Sequence, residues 1–185
     1  MKSRAKAKLE NNLNNKKIPI GILGGSFDPA HKGHLSISLV SKKKFKLKYI
    51  IWAITLKNPF KKKSFLSLKE RIKICKKLIG SKKFIKIRFF EKKIHSNKTV
   101  DLINYLKKDK KIEIYLIIGA DNLINFHKWH KWKSISKKCN ILVFDRGGYK
   151  TKSLKSVAYQ QLDKKCLRFV KFKKINISSS QLRKI

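Results

Sequence analysis

Residues 18–37 read IPIGILGGSFDPAHKGHLSI, and the order of features in this stretch decides the fold. Residues 18–25 form a short apolar run closing on Gly24 and Gly25. Asp28-Pro29 signals a turn. From Gly33 to about Phe45, Leu35, Ile37, Leu39 and Val40 read as a helix. The segment is therefore a buried strand, a glycine-marked turn and a helix.

Outward from it, the pattern repeats. Apolar runs at 49–55 (YIIWAIT), 84–90 (FIKIRFF), 112–119 (IEIYLIIG), 139–146 (CNILVFDR) and 167–172 (LRFVKF) read as strands. Residues 67–80, 99–108, 122–138 and 178–184 read as helical, the first capped by Gly80 and the stretch 122–138 in one piece or two. The strands are continuous apolar runs rather than alternating ones, which belongs to a parallel sheet covered on both faces. The expected fold is α/β, a doubly wound, mostly parallel sheet. Ligands of such sheets sit beyond the carboxyl ends of the strands, at the switch point. Residues 1–16 read as a flexible basic extension and 17–185 as a single domain.

Composition narrows the function. The chain has 185 residues with 49 Lys plus Arg against 10 Asp plus Glu, a net charge of +39. Abundant Ile, Leu, Phe and Trp exclude a disordered chain of that charge. No apolar run approaches the roughly 18 residues of a membrane span, and no signal peptide is evident. Cys75, Cys139 and Cys166 are scattered, which points to reduced thiols and a cytoplasmic setting rather than a disulfide framework or zinc ribbon. The lysines run along the whole chain, as a solvated surface would have them. Arginine, the better reader of base edges, is sparse, so no specific nucleic-acid partner is expected, only weak nonspecific polyanion binding. Such a field also steers anionic nucleotides toward a cleft.

The turn after the first run carries the chemistry. Gly24 and Gly25 let the backbone approach a ligand closely. His31 and His34 bracket the start of a helix whose N–H groups form an anion site. Two imidazoles there suit phosphate oxygens: they donate hydrogen bonds and, if protonated, add charge where a transferring phosphoryl group needs it. No G-x-x-x-x-G-K-[ST] loop occurs. His127 and His130 lack a carboxylate or cysteine partner, so no protein-held metal is expected.

These residues carry a specific resemblance. GSFDPAHKGH (25–34) resembles the GSFDPxHxGH signature of nucleotidyltransferases of the adenylyltransferase type, whose superfamily mark is H/T-x-G-H. ISSSQLR (177–183) resembles their ISSTxxR, with Ser180 where Thr is commoner. GADNLINFHKWHKW (119–132) resembles GxDxLxxFxxW of the bacterial nicotinate-nucleotide adenylyltransferases, and NKTVDLINYL resembles their YTxDTL, with Lys98 in place of Tyr. The resemblance implies a Rossmann-like nucleotidyltransferase domain that moves an adenylyl group from ATP, with its Mg2+, to nicotinate mononucleotide in NAD biosynthesis. It implies His31, His34 and Arg183 as catalytic residues. Gly24, Gly25, Ser26, Phe27, Gly33, Ser178 and Ser179 would bind ATP, and Lys57 matches only loosely. Thr99, Asp121, Trp129 and His130 would bind nicotinate mononucleotide, Trp129 by stacking on the ring. Trp132 reads as core. The other acceptors to separate are nicotinamide mononucleotide and phosphopantetheine; a non-catalytic, lysine-rich nucleic-acid-binding module is the rival of a different class. Monomer and homo-oligomer both remain open.

Overall fold

The computed structural model describes residues 17–56, 64–145 and 148–171. Strands β1 (Ile18–Gly25), β2 (Tyr49–Ile54), β3 (Ile85–Arg88), β4 (Ile112–Gly119), β5 (Asn140–Phe144) and β6 (Leu167–Val170) form one sheet in the order β3-β2-β1-β4-β5-β6. Every neighbouring pair is parallel, with Ile22 opposite Ile51 on one side and Leu116 on the other. The chain steps outward from β1 to β3, returns to the far side of β1, and steps outward again. The reversal between β1 and β4 is the switch point where ligands of such sheets bind.

The helices are α1 (Lys32–Lys44), α2 (Leu68–Ile79), α3 (Glu91–Ile94), α4 (Thr99–Leu106), α5 (Ala120–Ile124), α6 (Trp132–Lys138), α7 (Tyr149–Leu154) and α8 (Val157–Gln161). They cover two separate cores. Ile20, Ile22, Ile51, Ile114, Leu116, Ile118, Ile141 and Val143 face a core shared with α4, α5, α6 and α8. Leu23, Ile50, Trp52, Ile54, Ile117, Leu142 and Phe144 face the other, under α1 and α2. Successive strand residues point to opposite faces, so burial of both faces makes each run continuously apolar. Gly21 falls on the α1/α2 face of β1. A Cβ there would lie 3.0 Å from Leu47, Ile50 and Ile117, so this glycine lets neighbouring side chains close over the central strand.

The helical stretch expected over 122–138, in one piece or two, is divided into α5, a 3-10 turn at Phe126–Lys128, and α6. The apolar residues Leu123, Phe126, Trp129, Trp132 and Ile135 recur every third position, and all pack on the same core. A period of three matches a 3-10 turn, whereas an α-helix of about 3.6 residues per turn would rotate them off one face. Lys131, at φ 49, makes the second break. Helices α7 and α8, between β5 and β6, have no counterpart in the sequence reading. The expected extension at 1–16, the helix at 178–184, and the site residues Lys57, Ser178, Ser179 and Arg183 lie outside the described residues.

Candidate active site

Beyond β1 the chain stays tied to β2, with Thr55 N donating to Gly25 O at 3.0 Å. Phe27 then turns through the left-handed region at φ 49. Phe27 as a whole is 2 % exposed, and its ring stacks on Trp52, with centroids 5.0 Å apart. That ring belongs to the core under α1 and α2. The Asp28-Pro29 peptide is cis. Asp28 is buried and accepts from Leu66 N through Oδ1 (2.9 Å) and from Phe65 N through Oδ2 (2.7 Å), fastening the turn to the approach to α2.

The two imidazoles form the start of α1. His31 is its N-cap, at φ −146 and ψ 169, and His31 Nδ1 accepts from Gly33 N at 3.2 Å. His34 reaches back, its Nδ1 accepting from His31 N at 3.2 Å. This is a capping box built from two histidines where Ser or Thr and Glu or Gln usually stand. A backbone N–H can only donate, so both Nδ1 atoms are acceptors and each ring holds its proton on Nε2. The rings lie 4.0 Å apart, centroid to centroid, and Phe27 lies 4.8 Å from His34. Trp52 Nε1 donates to Ser38 Oγ (2.8 Å), and Ser38 Oγ donates to His34 O (2.9 Å), anchoring the first turn of α1 to the core. Trp52 and Ser38 were not legible as site support, because a core Trp and a helical Ser carry no local signal.

A Cβ on Gly24 would meet nothing within 4 Å, so among the described residues no protein packing demands glycine there, whereas a ligand passing close to the backbone would. Gly33 is buried with its N–H committed to His31, which makes it part of the cap. Ser26 is half-buried, and its carbonyl accepts from Arg71 Nη1 at 2.6 Å. Arg71, on the inner face of α2, also donates to Thr55 O, Leu56 O and Leu66 O. The sequence reading missed it. The available signal was its position three residues after Leu68 and four before Cys75, on the apolar stripe of α2.

Across the switch point, β4 ends in Gly119 and runs directly into α5. A side chain on Gly119 would collide with the Asp121 carboxylate, whose Oδ1 is buried. Trp129 follows the 3-10 turn, half-buried with its ring 4.9 Å from Phe126; His130 beside it is exposed. Thr99 is the first residue of α4. Trp129 and Trp132 both lean on the α4–α6 core, so each contributes to packing. The β1–β4 crevice is thus bounded by the start of α1, with its histidines, on one face and the start of α5, with Asp121, on the other. An open depression of about 330 Å³, lined by Lys17, Lys107, Glu113, Lys138 and Asn140, lies at the amino ends of β4 and β5, the wrong edge for this class of sheet.

For Mg2+ the described residues hold no cluster of three possible ligands, and Asp28 spends both oxygens on amides. This donor set suits an ion carried in by ATP and held by phosphate oxygens and water.

A sheet of this order with an H-x-G-H helix start at its switch point defines a nucleotidyltransferase. The Cytidylyltransferase-like family model matches residues 22–185. A relative from Pelagibacter ubique, described as "Probable nicotinate-nucleotide adenylyltransferase", is 70 % identical over 96 % of this chain and 99 % of its own length. One from Agrobacterium fabrum with the same description is 36 % identical over 76 % of each chain. The Plasmodium falciparum nicotinic acid mononucleotide adenylyltransferase complexed with APC superposes with a TM-score of 0.71 at 23 % identity, over 90 % of this chain and 82 % of that one, a likeness of fold. The chain belongs to the nicotinate-nucleotide adenylyltransferase family. It is an enzyme of adenylyl transfer in NAD-related metabolism. Among the described residues no helix is long and apolar enough to cross a membrane.

Proposed function

We propose that the protein transfers the adenylyl group of ATP to nicotinate mononucleotide, releasing pyrophosphate and forming nicotinate adenine dinucleotide. The observation that carries this reading is the pair of imidazoles held by their own capping box at the start of α1, at the switch point of the sheet. The reaction needs little else from side chains. The phosphate of the acceptor is already ionised, so it attacks the α-phosphorus of ATP without a general base. The bond to the β-phosphate oxygen breaks as the new P–O bond forms, and pyrophosphate leaves. What the protein must supply is in-line placement and donors for the charge that develops on the α-phosphate oxygens. His34 Nε2–H takes that role and His31 orients the triphosphate. Gly24, Gly25, Ser26 and the Phe27 main chain line the phosphates. Arg183, Ser178, Ser179 and Lys57 add contacts from segments outside the described residues.

On the acceptor side, Trp129 stacks on the pyridine ring, the His130 N–H and Thr99 bind the carboxylate, and Asp121 contacts the nucleotide. The Pelagibacter and Agrobacterium relatives support this choice of acceptor through their descriptions. Mg2+ neutralises the triphosphate as part of the substrate. The reading places the enzyme in the cytoplasm, where ATP and reduced thiols are found.

The test is pyrophosphate release from ATP with nicotinate mononucleotide, nicotinamide mononucleotide or phosphopantetheine, on the full chain and after deletion of residues 1–16. Turnover with nicotinate mononucleotide at least about tenfold above the others in kcat/KM, kept after the deletion, is the expected result; about 1.4 kcal/mol of differential binding suffices. Preference for another acceptor overturns the substrate, and steeply salt-dependent RNA binding without pyrophosphate release overturns the enzyme.

A further inference from the structure

We propose that Arg71 is a positioning residue for adenylyl transfer: its guanidinium orients the Ser26–Phe27 peptide so that the Phe27 N–H is presented to the triphosphate of ATP. This rests on the reading of the turn after β1 as the phosphate site.

Arg71 is 1 % exposed, the one buried Lys or Arg among the described residues. Burying a cation is costly unless its donors are satisfied. Among the described residues four of them go to main-chain carbonyls, at 2.6 Å on Ser26 O, 2.7 Å on Thr55 O, and 3.1 Å on both Leu56 O and Leu66 O. These carbonyls belong to three segments: the turn after β1, the end of β2 and the approach to α2. All lie at the carboxyl edge of the sheet. Holding α2 to the sheet does not require this, because Leu68, Ile72, Cys75 and Ile79 already pack into the core beneath it.

The bond to Ser26 O has a directional consequence. Ser26 O and Phe27 N–H belong to one planar trans peptide and point in opposite directions. Drawing the carbonyl onto the guanidinium turns the amide away from α2. The left-handed Phe27 and its core-bound ring then fix the other side of that peptide. Two carboxylates reinforce the arrangement. Asp28 takes the amides of Phe65 and Leu66 while Arg71 takes the Leu66 carbonyl, and Glu91 Oε2 accepts from Leu56 N at 3.2 Å while Arg71 takes the Leu56 carbonyl. Burial pushes the Glu91 carboxyl up; the Leu56 N–H and the Arg71 cation draw it back. Lysine cannot replace this hub, since one ammonium offers three donors from a single point where the guanidinium offers five in a plane.

The experiment compares Arg71→Lys with Glu70→Ala, which removes the capping box that Glu70 makes with Ser67 at the start of α2 but none of the four carbonyl bonds. Both variants should lower the Tm. Arg71→Lys should reduce kcat/KM for ATP by about tenfold to a hundredfold, the penalty of a displaced contact, with KM for nicotinate mononucleotide changed by less than about twofold. Glu70→Ala should keep both parameters. A folded Arg71→Lys with unaltered kcat/KM for ATP, or a Glu70→Ala that loses as much, overturns the inference while leaving the enzyme's function standing. A wild-type protein that releases no pyrophosphate overturns both. Should Arg71→Lys not fold, nuclear magnetic resonance of the wild type decides: α,β-methylene ATP must shift the Phe27 amide resonance, and an unmoved resonance overturns the proposal.

Discussion

Replacing His31 separates its two jobs, because they use different ring nitrogens. Nδ1 caps α1 by accepting from Gly33 N at 3.2 Å, and Nε2 is the atom the proposed function assigns to the triphosphate. His31→Ala removes both. Loss of an N-cap acceptor costs about 1 kcal/mol, which for a domain of this size is a fall in Tm of about 2–4 °C. Asn is among the best N-cap residues, so His31→Asn keeps an acceptor for Gly33 N and should lie within about 0.5 kcal/mol of wild type. Neither variant has a donor at the Nε2 position, and loss of one preorganised donor costs about 10²–10³ in kcat. The paired assay is thermal unfolding with pyrophosphate release at saturating substrates. The expected outcome is two Tm values and one shared loss of kcat. His34→Gln extends the test, since Gln at the third helical position still reaches back to the His31 N–H, while loss of the ring facing Phe27 costs about 1 kcal/mol. An active His31→Asn would refute the catalytic assignment, and a His31→Asn that melts with His31→Ala would refute the capping argument.

Trp129→Ala should raise KM for nicotinate mononucleotide by about tenfold, as expected for a lost stacking contact of 1–3 kcal/mol, with KM for ATP unchanged in the same steady-state assay. With a net charge of +39 drawing in two anionic substrates, kcat/KM should fall steadily as NaCl rises from about 10 to 500 mM, while kcat changes little. Burial pushes the Cys75 and Cys139 thiols up to about 12, against an ordinary value of 9.0. Iodoacetamide at about pH 8 should therefore alkylate the partly exposed Cys166 first and leave the other two, as mass spectrometry will show. The same raised values mean that above pH 9 the unfolded chain releases protons the native state keeps. Stability measured by denaturant should fall as pH rises from 9 toward 12.

Local features were legible wherever one segment contained the whole signal. The six apolar runs became the six strands, and the alternation with helices correctly implied a parallel sheet. GSFDPAHKGH was legible for the same reason: the turn, the two imidazoles and the helix start they cap all lie within 25–34. The segment 122–138 was legible as helical, but the place of its break was not, because the 3-10 turn follows from an apolar period of three that only packing on one core reveals. Arg71 was missed because its partners at Ser26 and Thr55 are distant in sequence, and in a lysine-rich chain one arginine on a helix looks like surface.

By itself the sequence determined the class of fold and the side chains at its first turn, because hydrophobic period, turn residues and capping are properties of short stretches. Only the tertiary structure decided the strand order that puts the reversal between β1 and β4, the reciprocal cap that His31 and His34 make through Nδ1, and the tie from Arg71 to the turn. Each of these depends on which atom meets which across the fold, and hydrogen bonds are directional where burial is not.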